Sequence, residues 1–396
     1  MMSVNPEILP YRALGRVLTA DGYQLTASLR LTGSLRYPGL HRSGKHVSFS
    51  GPFTLVLSGG GLKGLAHIGV LRALEERGLV PSLVVGTSMG SLVAAAWATG
   101  MPIGEMTERG LRVKRRDIFQ VAHVDMALKR MQSPAVYRRE PLDNLIQSLA
   151  GDLTFEDLDR PLLVNTVELN SGAQVLWGLP GLRKVRVADA VFASCALPGI
   201  LPPREIQGRH YVDGAVIENL PVQIAAVQRT SVVLAVDVGG SGALRAEVQE
   251  AGFAATYLRG YEIVMQTLME TRLREWRHPT LVLVHPRVEH MSLFAFGHNR
   301  ELIDEGYRAT AGVLDSLGDQ MEGGIYPKKR VEVRVDRSRC IGCGMCAMHS
   351  PAVFRMADDQ RSEVIAPVQT WSPLDGAYVR NCPTYAISVR LAPPGV

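Results

Sequence analysis

Ser88 is the residue whose neighbours best suit it to act as a nucleophile. It lies at the centre of the sequence Gly-Thr-Ser-Met-Gly (86–90), between a short apolar run and a helix-prone run. A serine at a sharp turn between a strand and a helix is the layout of a nucleophile elbow, and Gly86 and Gly90 keep that turn clear of side chains. The helix N-terminus then favours negative charge at the hydroxyl. The segment predicts a serine nucleophile.

A glycine-rich loop earlier in the chain offers backbone N–H groups to an oxyanion. Residues 58–64 read Ser-Gly-Gly-Gly-Leu-Lys-Gly and lie between the strand-like run 53–57 and a helical pattern that stops near Gly78. The loop also has the glycine spacing of a dinucleotide fingerprint. That function requires an acidic residue at the end of the second strand, where this chain has the serine elbow instead. The pattern therefore favours an oxyanion hole over a dinucleotide site.

Asp213 is the candidate base for this serine. It follows a short apolar strand end and precedes Gly214. The motifs at 59–64, 86–90 and 213–215 occur in the order and approximate spacing of patatin-like phospholipases, and the stretch 193–199 is similar to the segment before the aspartate in that family. The resemblance covers about residues 52–318.

This resemblance implies a three-layer α/β/α fold and a catalytic dyad of serine and aspartate without histidine. Carried over by position, Ser88 is the nucleophile and Asp213 is its base. Lys63 stands where arginine is common in the family, and Ser58 stands where plant members have aspartate. The expected activity is that of a carboxylic ester hydrolase, a phospholipase A or lysophospholipase, that forms an acyl-enzyme. The resemblance assigns the oxyanion hole to Gly59, Gly60 and Gly61, with support from Lys63, Gly64, Gly86, Gly90 and Gly214.

A Ser-Asp-His triad is the alternative within hydrolases, because histidines follow Asp213 in the chain. None of them lies in a strand-end loop pattern typical of a catalytic histidine, so the dyad is favoured. The candidates are His278, His285, His290 and His298.

Four of the five cysteines lie near the end of the chain. Cys340, Cys343 and Cys346 follow the spacing Cys-x2-Cys-x2-Cys, and Cys382 precedes a proline. Thiolates on a glycine-bearing loop of this kind can wrap one face of an iron–sulfur cube, which a remote fourth cysteine then closes. A structural zinc site more often pairs two separate Cys-x2-Cys units. The triple run therefore favours a cluster.

The same region resembles single-cluster bacterial ferredoxins. Residues 331–336 are similar to the first ferredoxin strand and residues 385–389 to the last. Two-cluster relatives carry a further cysteine where this chain has Ser350. The resemblance implies one 4Fe–4S cluster and an electron partner whose identity stays open.

The composition is that of a globular protein with several domains. The chain has 396 residues, 46% of them hydrophobic. We find no signal peptide pattern in it. We also find no apolar run of the roughly eighteen residues that a membrane helix needs. Cysteines clustered for a cofactor fit a reducing cytoplasm. We expect an α/β protein with a β-rich extension and linker at 1–51, the hydrolase at 52–318, a linker at 319–330 and a small α+β ferredoxin-like domain at 331–396.

The chain has a net charge of +5, and many of its basic residues lie in the segment 109–139, where they are interleaved with apolar side chains. Such a segment suits peripheral contact with anionic lipid headgroups, or an ordinary solvated surface of helices. No nucleic-acid-binding motif accompanies it, so no nucleic acid is expected as a partner. Two functions remain: a cytoplasmic lipid acyl hydrolase with a cluster for electron transfer or redox control, and an electron carrier whose patatin-like domain docks it to lipid.

Overall fold

The computed structural model describes residues 49, 51–121, 135–226, 230–239, 252–288, 290–293, 296–318, 321 and 323–392. These residues form two compact units, one that ends at Tyr326 and one that begins at Pro327. The predicted β-rich extension lies outside the described residues except for Phe49 and Gly51, as does the middle of the basic segment, 122–134.

The first unit is built on a nine-stranded mixed sheet. Its central strands are parallel and buried along their whole length. Because a parallel strand buried on both faces needs cover from both sides, this sheet requires helices on each face. The α/β fold class is thereby confirmed. The central strands are β1 (Phe53–Leu57), β2 (Leu83–Thr87), β3 (Leu162–Glu168), β7 (Val232–Val236) and β8 (Thr280–Val284).

Shorter strands extend the sheet at its edges. Three of them run antiparallel to their neighbours: β4 (Gln174–Trp177), β5 (Arg204–Ile206) and β6 (Arg209–Asp213). The fourth, β9 (Ile325–Tyr326), is parallel to β8. The strand order is β5-β6-β3-β2-β1-β7-β8-β9, with β4 on β3. This order sets β1, β2, β3 and β6 side by side, and three of them, β1, β2 and β6, lead into or end at predicted site residues.

The helices of this unit follow the apolar periodicity of the sequence. In the first of them and the turn before it, Leu65, Ile68, Leu71 and Leu74 are all buried, and Gly78 follows the helix at a φ of 67°. The helices are α1 (Ala66–Glu75), α2 (Met89–Ala98), α3 (Ile103–Arg112), α4 (Glu140–Ala150), α5 (Val187–Cys195), α6 (Val222–Ala226), α7 (Gly252–Arg274) and α8 (Asn299–Ser316), with 3₁₀ turns at Gly61–Leu65, Arg115–Asp117 and Gly214–Val216.

The second unit contains two small antiparallel sheets. One has the order β13 (Val368–Trp371), β10 (Lys329–Val335), β14 (Ile387–Leu391), and the other pairs β11 (Phe354–Met356) with β12 (Ser362–Val364). Two short helices, α9 (Met345–His349) and α10 (Ala377–Arg380), complete it. Strand β10 begins inside the segment 319–330 that the sequence marks as a linker. Among the described residues, no helix is both long and apolar enough to cross a bilayer.

Candidate functional site

Ser88 occupies a strained turn between β2 and α2. Its φ is 54° and its ψ is −130°, a conformation that non-glycine residues rarely adopt and that is often found at functional sites. The glycines on either side permit the turn. A Cβ on Gly86 would lie 2.5 Å from the Cα of Ser91, and one on Gly90 would lie 2.4 Å from the carbonyl oxygen of Leu57. The structure therefore forms a strand, a sharp turn and a helix at this serine.

A buried serine holds this turn in place. The Ser88 N–H donates to Ser194 Oγ at 2.8 Å, and the Ser194 hydroxyl donates to the Asn165 carbonyl at 2.7 Å. Sequence reasoning missed Ser194 as a structural partner of the elbow, because it is 106 positions away and has no spacing signal of its own. It ties the nucleophile turn to β3.

Asp213 ends β6 and is only 2% exposed. Its Oδ1 accepts a hydrogen bond from the Ala215 N–H at 2.9 Å. Burial raises the pKa of this carboxyl to about 7, against the opposing effect of hydrogen bonds from Ala215 and from the Ser88 hydroxyl. A carboxyl group with a pKa near neutrality is suited to accept and return a proton at physiological pH.

The glycine loop that follows β1 faces the same place. The Gly59 N–H donates to Asn219 Oδ1 at 3.0 Å, and Asn219 Nδ2 donates back to the Gly59 carbonyl at 3.2 Å. The N–H groups of Gly60 and Gly61 form no hydrogen bond to any residue that the structure describes. Sequence reasoning also missed Asn219, which lies 160 positions from the loop it holds.

Buried polar side chains anchor this loop from behind. Lys63 is fully buried and its Nζ donates to the Gly239 carbonyl at 2.6 Å, while His67 Nε2 lies 2.8 Å from the Ser58 carbonyl. Burial lowers the pKa of His67 to about 4, so its ring is neutral and donates this bond from Nε2. The remaining predicted glycines fill crowded positions: Gly64 lies against Met89, and Gly214 lies against Asn165.

One cleft brings these groups together. Ser88, Asp213 and the three loop glycines line one side, and α7 contributes much of the other. The phenol oxygen of Tyr261, on α7, is buried without a hydrogen-bond partner among the described residues. The α7 residues that line the cleft are Tyr261, Glu262, Met265, Gln266 and Met269.

Histidine does not line this cleft in the part of the chain that the structure describes. Of the four candidate histidines, His285 pairs instead with Asp237, its Nδ1 lying 3.3 Å from Oδ2. Among the described residues, Ser88 and Asp213 thus line the cleft without a histidine.

The second unit carries the predicted cluster cysteines in loops and a short helix. The Ser362 N–H donates to Cys340 Sγ at 3.4 Å, and the Ala386 N–H donates to Cys382 Sγ at 3.3 Å. Burial alone would raise the pKa of the Cys382 thiol, but donors from Ala386 and Thr384 hold it below its usual range. Donors directed at sulfur stabilise thiolates and iron–sulfur clusters. The residues present therefore fit a cluster.

The surroundings of Cys343 differ from those of the other three cysteines. Cys343 is exposed, whereas the others are partly buried. Two apolar side chains close to it in the sequence are also open to solvent, Ile341 at 66% and Met348 at 65%. No group of three ligating side chains among the described residues is close enough to hold a single metal ion.

Two family models match the chain. Residues 55–226 match the patatin-like phospholipase family, and residues 333–389 match the 4Fe-4S single cluster domain. The chain therefore contains a patatin-like phospholipase domain followed by a single-cluster iron–sulfur domain. Both resemblances drawn from the sequence are confirmed.

Two curated relatives match the patatin-like part. An uncharacterized NTE family protein of Mycobacterium bovis is 30% identical over 227 residues, which make up 56% of this chain and 37% of that protein. Lysophospholipase NTE1 of Mycosarcoma maydis is 34% identical over 192 residues, 47% of this chain and 10% of that protein. The match thus spans well under half the length of either relative. Among solved structures, VipD from Legionella pneumophila is similar over 67% of both chains, at 17% identity and a TM-score of 0.39.

Proposed function

We propose that this protein is a serine acyl hydrolase that cleaves phospholipids or other lipid acyl esters. The observation that carries the proposal is that one cleft contains Ser88, at a positive φ before a helix, and Asp213, buried with a pKa of about 7. The patatin-like phospholipase match and the relative named as a lysophospholipase support a lipid ester as the substrate.

In the proposed mechanism, Asp213 accepts the hydroxyl proton of Ser88 as the serine oxygen attacks the ester carbonyl carbon. The N–H groups of Gly60 and Gly61 stabilise the oxygen of the tetrahedral intermediate, since the N–H of Gly59 is already engaged by Asn219. The bond to the leaving alcohol then breaks, and Asp213 returns the proton to that alcohol. Asp213 next takes a proton from a water molecule, whose oxygen attacks the acyl carbon. The bond from that carbon to Ser88 Oγ then breaks, Asp213 returns the proton to Ser88, and the fatty acid is released.

Burial explains how an aspartate serves as this base without a histidine. An aspartate with an ordinary pKa of about 3.9 binds a proton too weakly at neutral pH to be an effective general base. The site excludes water from Asp213 and so brings its pKa close to the working pH. The residue remains ionised in a useful fraction of molecules at pH 7.

Lipid reaches the cleft, in this proposal, across a surface beside it. Helix α7 lines the cleft and also exposes apolar side chains, among them Val264 at 56% and Leu268 at 39%. The basic segment 109–139 would add attraction for anionic headgroups through Arg112, Arg115 and Arg116, which are exposed. We propose a cytoplasmic enzyme that makes peripheral contact with membranes.

The iron–sulfur unit is assigned a role in electron transfer or redox control. When bound, a cluster of this type exchanges single electrons. The exposure of Cys343, and of Ile341 and Met348 close to it in the sequence, supports electron exchange through this segment with an unidentified redox partner. A cytoplasmic electron carrier docked to lipid by its patatin-like domain is the alternative function.

The experiment is ester hydrolysis by the anaerobically purified full chain. Release of p-nitrophenol from short-chain and medium-chain acyl esters is compared among the native protein, Ser88→Ala and Asp213→Asn, with Ser316→Ala and Asp159→Asn as exposed controls. Loss of turnover in the two site variants alone supports the proposal. Equal rates of hydrolysis in all five proteins, or no hydrolysis by any of them, would overturn the hydrolase proposal in favour of the electron carrier.

Redox control is tested separately with oxidised, reduced and cluster-free protein. If the cluster controls the hydrolase, the three forms will cleave the same ester at different rates. Equal rates would exclude control of the hydrolase and leave two roles for the cluster, electron transfer to another protein or folding of the C-terminal region.

A further inference from the structure

Ser362 touches two of the four cluster cysteines although it lies outside the cysteine motif. It begins β12 and is 2% exposed. Its N–H donates to Cys340 Sγ at 3.4 Å, and its Oγ lies 3.1 Å from Cys346 Sγ. One buried residue thus connects the first cysteine of the motif, Cys340, with Cys346 in helix α9.

The direction of the second bond depends on the protonation state of Cys346. A cysteine that ligates iron is a thiolate and has no proton to donate. The serine hydroxyl must then be the donor, and the bond becomes one to a charged acceptor. Such bonds are stronger than neutral ones, and burial away from water strengthens them further.

We propose that Ser362 is a positioning residue for the iron–sulfur cluster, which holds Cys340 and Cys346 with two donors and raises the reduction potential. Reduction adds one electron to the cluster and increases the negative charge on its sulfurs. Hydrogen bonds to those sulfurs therefore stabilise the reduced form more than the oxidised form. The inference concerns the cluster alone and does not depend on the proposed hydrolase activity.

The two donors can be separated by mutation because one belongs to the backbone. Every residue except proline would keep the N–H bond to Cys340. Only a hydroxyl-bearing residue keeps the bond to Cys346. Ser362→Ala thus removes one bond and leaves the other, while Ser362→Thr retains both.

The test is the reduction potential of the cluster in the full chain, reconstituted anaerobically and titrated with dithionite under electron paramagnetic resonance. At a fixed applied potential, Ser362→Ala is expected to lower the ratio of reduced to oxidised cluster about tenfold. For a one-electron couple this corresponds to a reduction potential that is about 59 mV more negative. Ser362→Thr should restore most of the native value. Ser388→Ala, at an exposed position in the same unit, should leave the potential unchanged.

The iron and sulfide contents of each variant are measured together with its reduction potential. If Ser362→Ala fails to hold a cluster and Ser362→Thr holds one, the hydroxyl has a positioning role and the proposal stands. A native potential in Ser362→Ala would overturn it. So would loss of the cluster in both variants, because side-chain size and not the hydroxyl would then decide assembly.

Discussion

Replacing Asp213 with asparagine should abolish ester hydrolysis and at the same time stabilise the protein at neutral and alkaline pH. Asparagine has nearly the same shape and can still accept the Ala215 N–H bond at the Oδ1 position. It cannot take a proton from Ser88. It also removes a carboxylate that is held, when ionised, in a position 2% exposed to solvent.

The pKa of Asp213 sets the size of the effect. It rises from 3.8 to about 7 on folding, and each pH unit between the folded and unfolded values corresponds to about 1.4 kcal/mol. Because the folded state holds this proton more tightly, the native protein loses stability as pH rises from 3.8 to about 7. Asp213→Asn should therefore gain about 2 kcal/mol over the native protein at pH 5 and about 4 kcal/mol at pH 8.

Urea unfolding followed by tryptophan fluorescence measures this difference. Trp97 and Trp177 are buried in the first unit and report on its unfolding. Asp159→Asn, at an exposed position, is the matched control and should change stability little at either pH. A stability gain of Asp213→Asn that does not increase between pH 5 and pH 8, or a variant less stable than the native protein at pH 8, would refute the raised pKa of Asp213.

Three further predictions concern catalysis and lipid contact. Hydrolysis by the native protein should rise with pH around a midpoint near 7, as Asp213 loses its proton; a flat profile from pH 5 to 8 would contradict the role of this base. Tyr261→Phe should lower kcat/KM about tenfold without lowering the urea midpoint, since Tyr261 lines the cleft and its phenol oxygen has no partner among the described residues; unchanged kcat/KM would show that the phenol does not bind substrate. Val264→Asp should weaken binding to anionic phospholipid vesicles and leave the turnover of soluble esters unchanged. Val80→Asp, at another exposed valine, should leave vesicle binding unchanged. Equal losses of vesicle binding in both variants would contradict docking through α7.

The fold and the main site residues are predictable where local sequence determines them. The strands before Ser58 and Ser88 are short apolar runs that end at glycine motifs, and such patterns are local. The four cysteines are recognisable in the same way, since three of them share one loop and the fourth precedes a proline. Asp213 required the family resemblance, because an Asp-Gly pair alone more often marks an ordinary turn.

The supporting contacts are not predictable because they depend on how distant segments meet. Ser194 and Asn219 hold the elbow and the glycine loop from other parts of the sheet, and no spacing rule connects them to those motifs. Ser362 approaches the cysteines only because β12 folds beside them. The assignment of the Gly59 N–H to Asn219 likewise emerges only from the structure.

The central claim is that Ser88 carries the acyl group during the reaction. The most direct measurement is to mix the full chain with a medium-chain p-nitrophenyl ester, quench the reaction in acid within the first turnovers and locate the acyl group by peptide mass spectrometry. We expect acylation on the peptide that contains Ser88 in the native protein and no acylation of that peptide in Ser88→Ala. Acylation at another residue, or product release without any acyl adduct in the native protein, would contradict it.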